Sequence, residues 1–154
     1  MIRTDLTKEQ KKSLDKKHEE DMKIALQRRS GALESGVIVS EVTGRGRLDI
    51  DSWLVEGKDY SGPTGAWNVE AHHILGRNKP KGFKGLHPTI QEFWPHIPPG
   101  CIYLTTAEHQ HAARNSKMMR PLLLRFMLME YPGEEWQGRD YWEWLNEPPY
   151  KEWL

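Results

Sequence analysis

The chain has 154 residues, 37% of them hydrophobic, and balances 22 basic against 22 acidic side chains at a mean hydropathy of −0.77. This size and polarity predict one domain with decorated ends and a small core, and zero net charge excludes a uniformly basic nucleic-acid binder. The single cysteine, Cys101, excludes an internal disulfide and a cysteine-ligated zinc site.

Residues 5–30 predict a helix, capped by Thr7 and stopped by Gly31. Its apolar positions are sparse (Leu14, Met22, Ala25, Leu26), so it protrudes or packs by one end. Residues 37–42 (VIVSEV) read as a short strand, 48–55 as a second, and 56–66 as a Gly/Ser/Pro-rich loop. Residues 67–75 (WNVEAHHIL) predict a strand ended by Gly76.

A long connection rich in Lys, Gly and Pro covers residues 76–100, a length that points to a functional or mobile loop. Residues 101–104 (CIYL) are the next strand. Thr105 and Glu108 then form a capping-box pattern, predicting a helix over 106–118. Pro121 opens a second helix through 131, and 140–146 form a short aromatic one. The pattern is α+β, with extensions at 1–35 and 121–154 around a central unit at 36–120. The apolar run 122–129 is interrupted by Arg125 and too short to span a bilayer, and the N-terminus is polar. The expected setting is the cytoplasm, away from membranes.

Charge is unevenly placed. Arg77, Lys79, Lys81 and Lys84 lie in a stretch without acids, as do Arg114, Lys117, Arg120 and Arg125, whereas residues 130–154 are acidic. A local basic surface attracts phosphate. The informative order is strand, His72-His73, basic loop, strand, capping box, and a helix carrying His109 and His111. A hairpin brings the histidine pair to the start of that helix. His72 and His109 can then grip one metal ion while His73, on the other side of the strand, takes a proton from water. Arg77 can hold a phosphate through two donors.

VEAHHILGR followed by CIYLTTAEHQH resembles the HNH, or His-Me finger, nucleases, over residues 67–115. LTTAEH is similar to the family's cysteine-free strand-to-helix pattern. The wording and compact size resemble phage or mobile-element members. The resemblance implies a ββα-metal core, with a long N-terminal helix and C-terminal helices added to it. It implies a DNA endonuclease with His72 and His109 as metal ligands and His73 as general base. Mg²⁺ or Mn²⁺ would be the ion, with Zn²⁺ or Ni²⁺ as alternatives. Double-stranded DNA would be the substrate, gripped by Arg77, Lys79, Lys81, Lys84, Arg114 and Lys117. A homodimer or protein partner would use the terminal extensions.

Two departures stand out. The family's third ligand falls four residues after the helix histidine, at Ala113. Either His111 and Asn115 serve in the helix instead, or water and phosphate complete the ion's shell; the LTTAEH match favours His109. The family's central Asn, whose backbone carbonyl orients the base histidine, falls at Gly100 or Cys101. A backbone group, His96 or Asn78 would have to substitute. The alternative is an HNH-shaped module, impaired in catalysis, that binds DNA or a phage or host partner.

Overall fold

The computed structural model describes residues 6–45 and 68–154. The predicted strand at 48–55 and loop at 56–66 lie outside the described residues.

Helix α1 (Lys8–Ser30) has the predicted ends: Thr7 and Gln10 form a reciprocal capping box, and Gly31 closes the helix in the left-handed conformation. Of its apolar residues only Met22 and Leu26 are buried, so its C-terminal half does the packing. A short α2 (Ala32–Ser35) follows.

The predicted strand at 37–42 is absent. Residues 37–40 have no regular structure and 41–43 form a turn. Ser40 explains it: its hydroxyl accepts from the backbone N–H of Val42 and of Thr43, each at 3.3 Å, which turns the chain away from a ladder. One sheet-like bond remains, from Glu41 N–H to the Tyr103 carbonyl at 3.0 Å.

Strand β1 (Val69–His73) pairs antiparallel with β2 (Cys101–Thr105), setting His72 opposite Ile102 and His73 opposite Cys101. All of β2 is buried because both its faces are covered. Cys101 and Tyr103 pack with Met22 and Leu26 of α1. Ile102 and Leu104 face the main core of Ile74, Ile90, Leu124, Met127 and Trp144. The two-residue alternation of a strand therefore sends His73 to the α1 side and His72 to the other.

The 76–100 connection is built in, with α3 (Pro88–Phe93) and two short 3₁₀ turns, and it buries Leu86, Ile90, His96 and Ile97. Helix α4 (Thr106–Arg114) opens on the predicted capping box but ends early. Asn115 leaves helical geometry and donates its side-chain amide to the His111 carbonyl at 2.9 Å. Helix α5 (Ser116–Glu130) starts there, with Pro121 inside it. A small hairpin of β3 (Glu135–Trp136) and β4 (Arg139–Asp140) leads to α6 (Tyr141–Leu145) and a final 3₁₀ turn at Tyr150–Trp153. Among the described residues, no helix is long and apolar enough to cross a membrane.

A buried ion pair ties α1 to the rest. Arg29 and Glu41 side chains are both fully shielded, with Nε to Oε1 at 2.7 Å and Nη2 to Oε2 at 2.9 Å. Arg29 also donates to the carbonyls of Pro98 and Cys101. Glu41 also accepts from the Tyr103 amide and the Tyr131 hydroxyl, each at 2.7 Å. Burial alone would lower the Arg29 pKa; the carboxylate beside it reverses the sign, so the charge is held.

Candidate metal and catalytic centre

The end of β1, the start of α4 and the start of α5 enclose a cavity of about 320 Å³. Its walls include His72, His73, Arg77, His109, Ser116 and Arg120.

The His72 and His109 rings meet edge to face, with centroids 4.6 Å apart. His109 Nδ1 is bonded to Glu70 Oε1 at 2.5 Å. A carboxylate only accepts, so Nδ1 is the donor, and Nε2 is the ring's remaining site toward a cation. Metal-binding histidines are commonly backed by a carboxylate in this way. The His72 ring makes no hydrogen bond among the described residues. Burial, aided by the charges of His109 and Arg120, pushes its pKa down to about 4, so at neutral pH its ring is unprotonated and able to donate to a cation. Two imidazoles, one of them backed by a carboxylate, beside an open cavity fit a divalent ion with intermediate ligand preference.

His73 is bonded on the opposite face: its Nε2 lies 3.0 Å from His96 Nδ1. His96 is 1% exposed, and its Nε2 lies 3.0 Å from Asp15 Oδ1 and 3.7 Å from Glu19 Oε2, both on α1. Burial, with Arg77 and His96 adding to it, pushes the His73 pKa down to about 3. Burial also lowers that of His96, against the pull of Asp15 and Glu19.

Why no asparagine side chain stands at the centre is visible in the packing. A Cβ on Gly100 would lie 2.6 Å from the Tyr150 ring, and the Gly100 carbonyl is taken by the Ile74 amide at 2.9 Å. Cys101 is fully buried. Of the substitutes weighed from sequence, His96 is the one bonded to the His73 ring.

Arg77 lines the cavity, but its guanidinium pairs with Glu19 at 3.3 Å. Arg120 lines the same cavity without an ion-pair partner among the described residues. It stacks over Trp153 at 4.9 Å, and its Nε is shut from solvent with no hydrogen-bond partner. An unneutralised guanidinium at a cavity wall is suited to a phosphate. Sequence reading counted Arg120 only as part of a basic stretch, because nothing local shows that α5 aims it at the histidines.

His111 and Asn115 do not join this centre. His111 lines a separate groove with Val42, Leu104, Met119 and Leu123, and Asn115 is tied back to His111. Lys79, Lys81, Lys84, Arg114 and Lys117 are all exposed.

Sequence reading missed a second donor cluster, Asp15, Glu19 and His96, whose ligand atoms lie within 4.8 Å of one another. The spacing of Asp15 and Glu19, one helical turn apart, was a signal hidden in a heavily charged helix. Searches against family models, curated proteins and solved structures return no match for the chain.

Proposed function

We propose that the chain is a metal-dependent endonuclease that hydrolyses phosphodiester bonds in double-stranded DNA at the cavity of His72, His73 and His109. The observation that carries this reading is the meeting of those three histidines, from separate strand and helix segments, around one cavity with an unpaired arginine on its wall.

His72 and His109 would hold the ion, with Glu70 fixing the ring of His109. When bound, a divalent cation supplies the positive charge that stabilises the phosphate as it becomes pentacovalent. Mg²⁺ and Mn²⁺ are the proposed ions; imidazole donors favour Mn²⁺, Ni²⁺ or Zn²⁺ over Mg²⁺ in affinity.

His73 takes a proton from the water whose oxygen attacks phosphorus. The bond to the 3′ oxygen then breaks, that oxygen takes a proton from solvent, and the products carry a 5′-phosphate and a 3′-hydroxyl. Arg120 takes the phosphate contact that sequence reading assigned to Arg77, while Arg77 stays tied to Glu19. The exposed Lys79, Lys81, Lys84, Arg114 and Lys117 attract the neighbouring phosphates, each neutralised phosphate adding about −0.9 to the salt slope of binding.

The test is incubation of supercoiled plasmid with the protein and Mn²⁺. Nicked or linear product that disappears with EDTA is expected. Binding without cutting across Mg²⁺, Mn²⁺, Ni²⁺ and Zn²⁺ would instead favour the catalytically impaired DNA-binding module. Neither binding nor cutting would contradict both.

A further inference from the structure

We propose that Asp15, on the N-terminal helix, acts through His96 to set which nitrogen of His73 carries the proton. Asp15 is thus a positioning residue for the reaction proposed above, and its effect on cleavage rests on that reading.

The argument is one of hydrogen-bond parity. A carboxylate has no proton to offer, so His96 Nε2, 3.0 Å from Asp15 Oδ1, must be the donor. A neutral imidazole carries one N–H, which leaves His96 Nδ1 as an acceptor. That nitrogen lies 3.0 Å from His73 Nε2, which must therefore donate. His73 is left with its lone pair on Nδ1, a nitrogen that makes no hydrogen bond among the described residues. In the reaction proposed above, this is the nitrogen that would take the proton from water.

Burial reinforces the central link. The His96 side chain is fully shielded, so water cannot replace Asp15 by approaching from another direction. Lowered by burial, the pKa of His96 favours the neutral ring that the parity argument requires. Asp15 itself is about half exposed, with 55% of its side chain accessible, so replacing it removes little packing. Glu19 Oε2, at 3.7 Å from the same nitrogen, is a reserve acceptor.

The same three groups invite a second reading, a cation bound by Asp15, Glu19 and His96. That reading reverses the parity. A metal would take the lone pair of His96 Nε2, putting the proton on Nδ1 and forcing His73 to accept at Nε2. The base would then hold its proton on Nδ1. Arg77 also places positive charge 3.3 Å from Glu19 Oε2, where a cation would need that oxygen. The relay is the reading the contacts favour.

Long-range ¹H–¹⁵N correlation spectra of the imidazoles in the full-length protein read the tautomers directly, whether or not the protein cuts DNA. The wild type is expected to show Nε2–H on both His73 and His96. In the Asp15→Asn/Glu19→Gln variant both carboxylates are gone and an amide can donate to His96 Nε2. An amide can equally accept there, so the bias is released and the Nδ1–H form should become populated on both rings. In the plasmid assay kcat should fall about 10- to 100-fold, the size expected for loss of an outer-shell partner, with KM for DNA little changed. Asp15→Glu, which keeps a carboxylate, should restore both the spectrum and most of the rate. An Nδ1–H on either ring of the wild type would overturn the proposal and assign the cluster to a cation. So would unchanged tautomers in the double variant, or changed tautomers with an unchanged rate. Wild-type protein that shows the expected tautomers but cuts no DNA would sink the nuclease reading and leave the relay standing.

Discussion

Replacing His73 with alanine is expected to slow DNA cleavage by about 10²- to 10⁴-fold, the usual contribution of a positioned general base, while leaving metal affinity unchanged. The separation of the two effects follows from strand alternation. His73 faces α1 and bonds His96, whereas His72 faces the other side and meets His109. Removing His73 therefore leaves the ligand pair in place. With its pKa pushed down to about 3, the ring is wholly unprotonated at neutral pH, at a cost in base strength. Negative charge from an entering phosphate raises that pKa and recovers part of the strength. Plasmid turnover alongside a metal-binding isotherm checks both halves. An unchanged cleavage rate would remove His73 from the role of base. A matching loss of metal binding would mean that the two histidines are not separable.

Glu41→Gln is expected to destabilise the fold by about 3–5 kcal/mol, because it leaves the Arg29 charge buried without its partner. Both side chains are fully shielded, so water cannot take the carboxylate's place. Arg29 would keep its carbonyl contacts at Pro98 and Cys101, which are neutral and only partly offset the loss. The same change weakens the Tyr103 amide and Tyr131 hydroxyl contacts to the carboxylate. Urea unfolding gives the number, and a loss below about 1 kcal/mol would show that the pair contributes little. This pair also bears on the chemistry. It pins the C-terminal end of α1 to β2, and α1 carries the Asp15 carboxylate that reaches His96.

The parts of the molecule legible in sequence are those with local signatures. The Thr7 and Thr105 caps, the strand ending in the histidine pair and the helix starting before His109 each depend on a few neighbouring residues. Those signatures bring His72 to His109 and set His73 on the opposite face of the strand. The strand expected at 37–42 failed for a local reason too: the Ser40 hydroxyl takes the amides of Val42 and Thr43, and the apolar residues around it were outweighed. What stayed hidden depends on distant packing. His96 sits in a Pro-rich stretch, WPHIPPG, and nothing there says that both its nitrogens are used. Asp15, Glu19 and Arg29 are lost among the charges of α1, a helix whose apolar content alone suggested little contact with the core. The space for an asparagine side chain at position 100 is closed by Tyr150, fifty residues on and invisible to any motif.

The central claim is that His72 and His109 close on one divalent cation. Isothermal titration of Mn²⁺ into the full-length protein at neutral pH measures this. The prediction is one bound ion, lost in His72→Ala and in His109→Ala but kept in Asp15→Asn/Glu19→Gln. Stoichiometric binding that survives both histidine changes and vanishes with the two carboxylates would place the ion on the other side of the sheet and contradict the account.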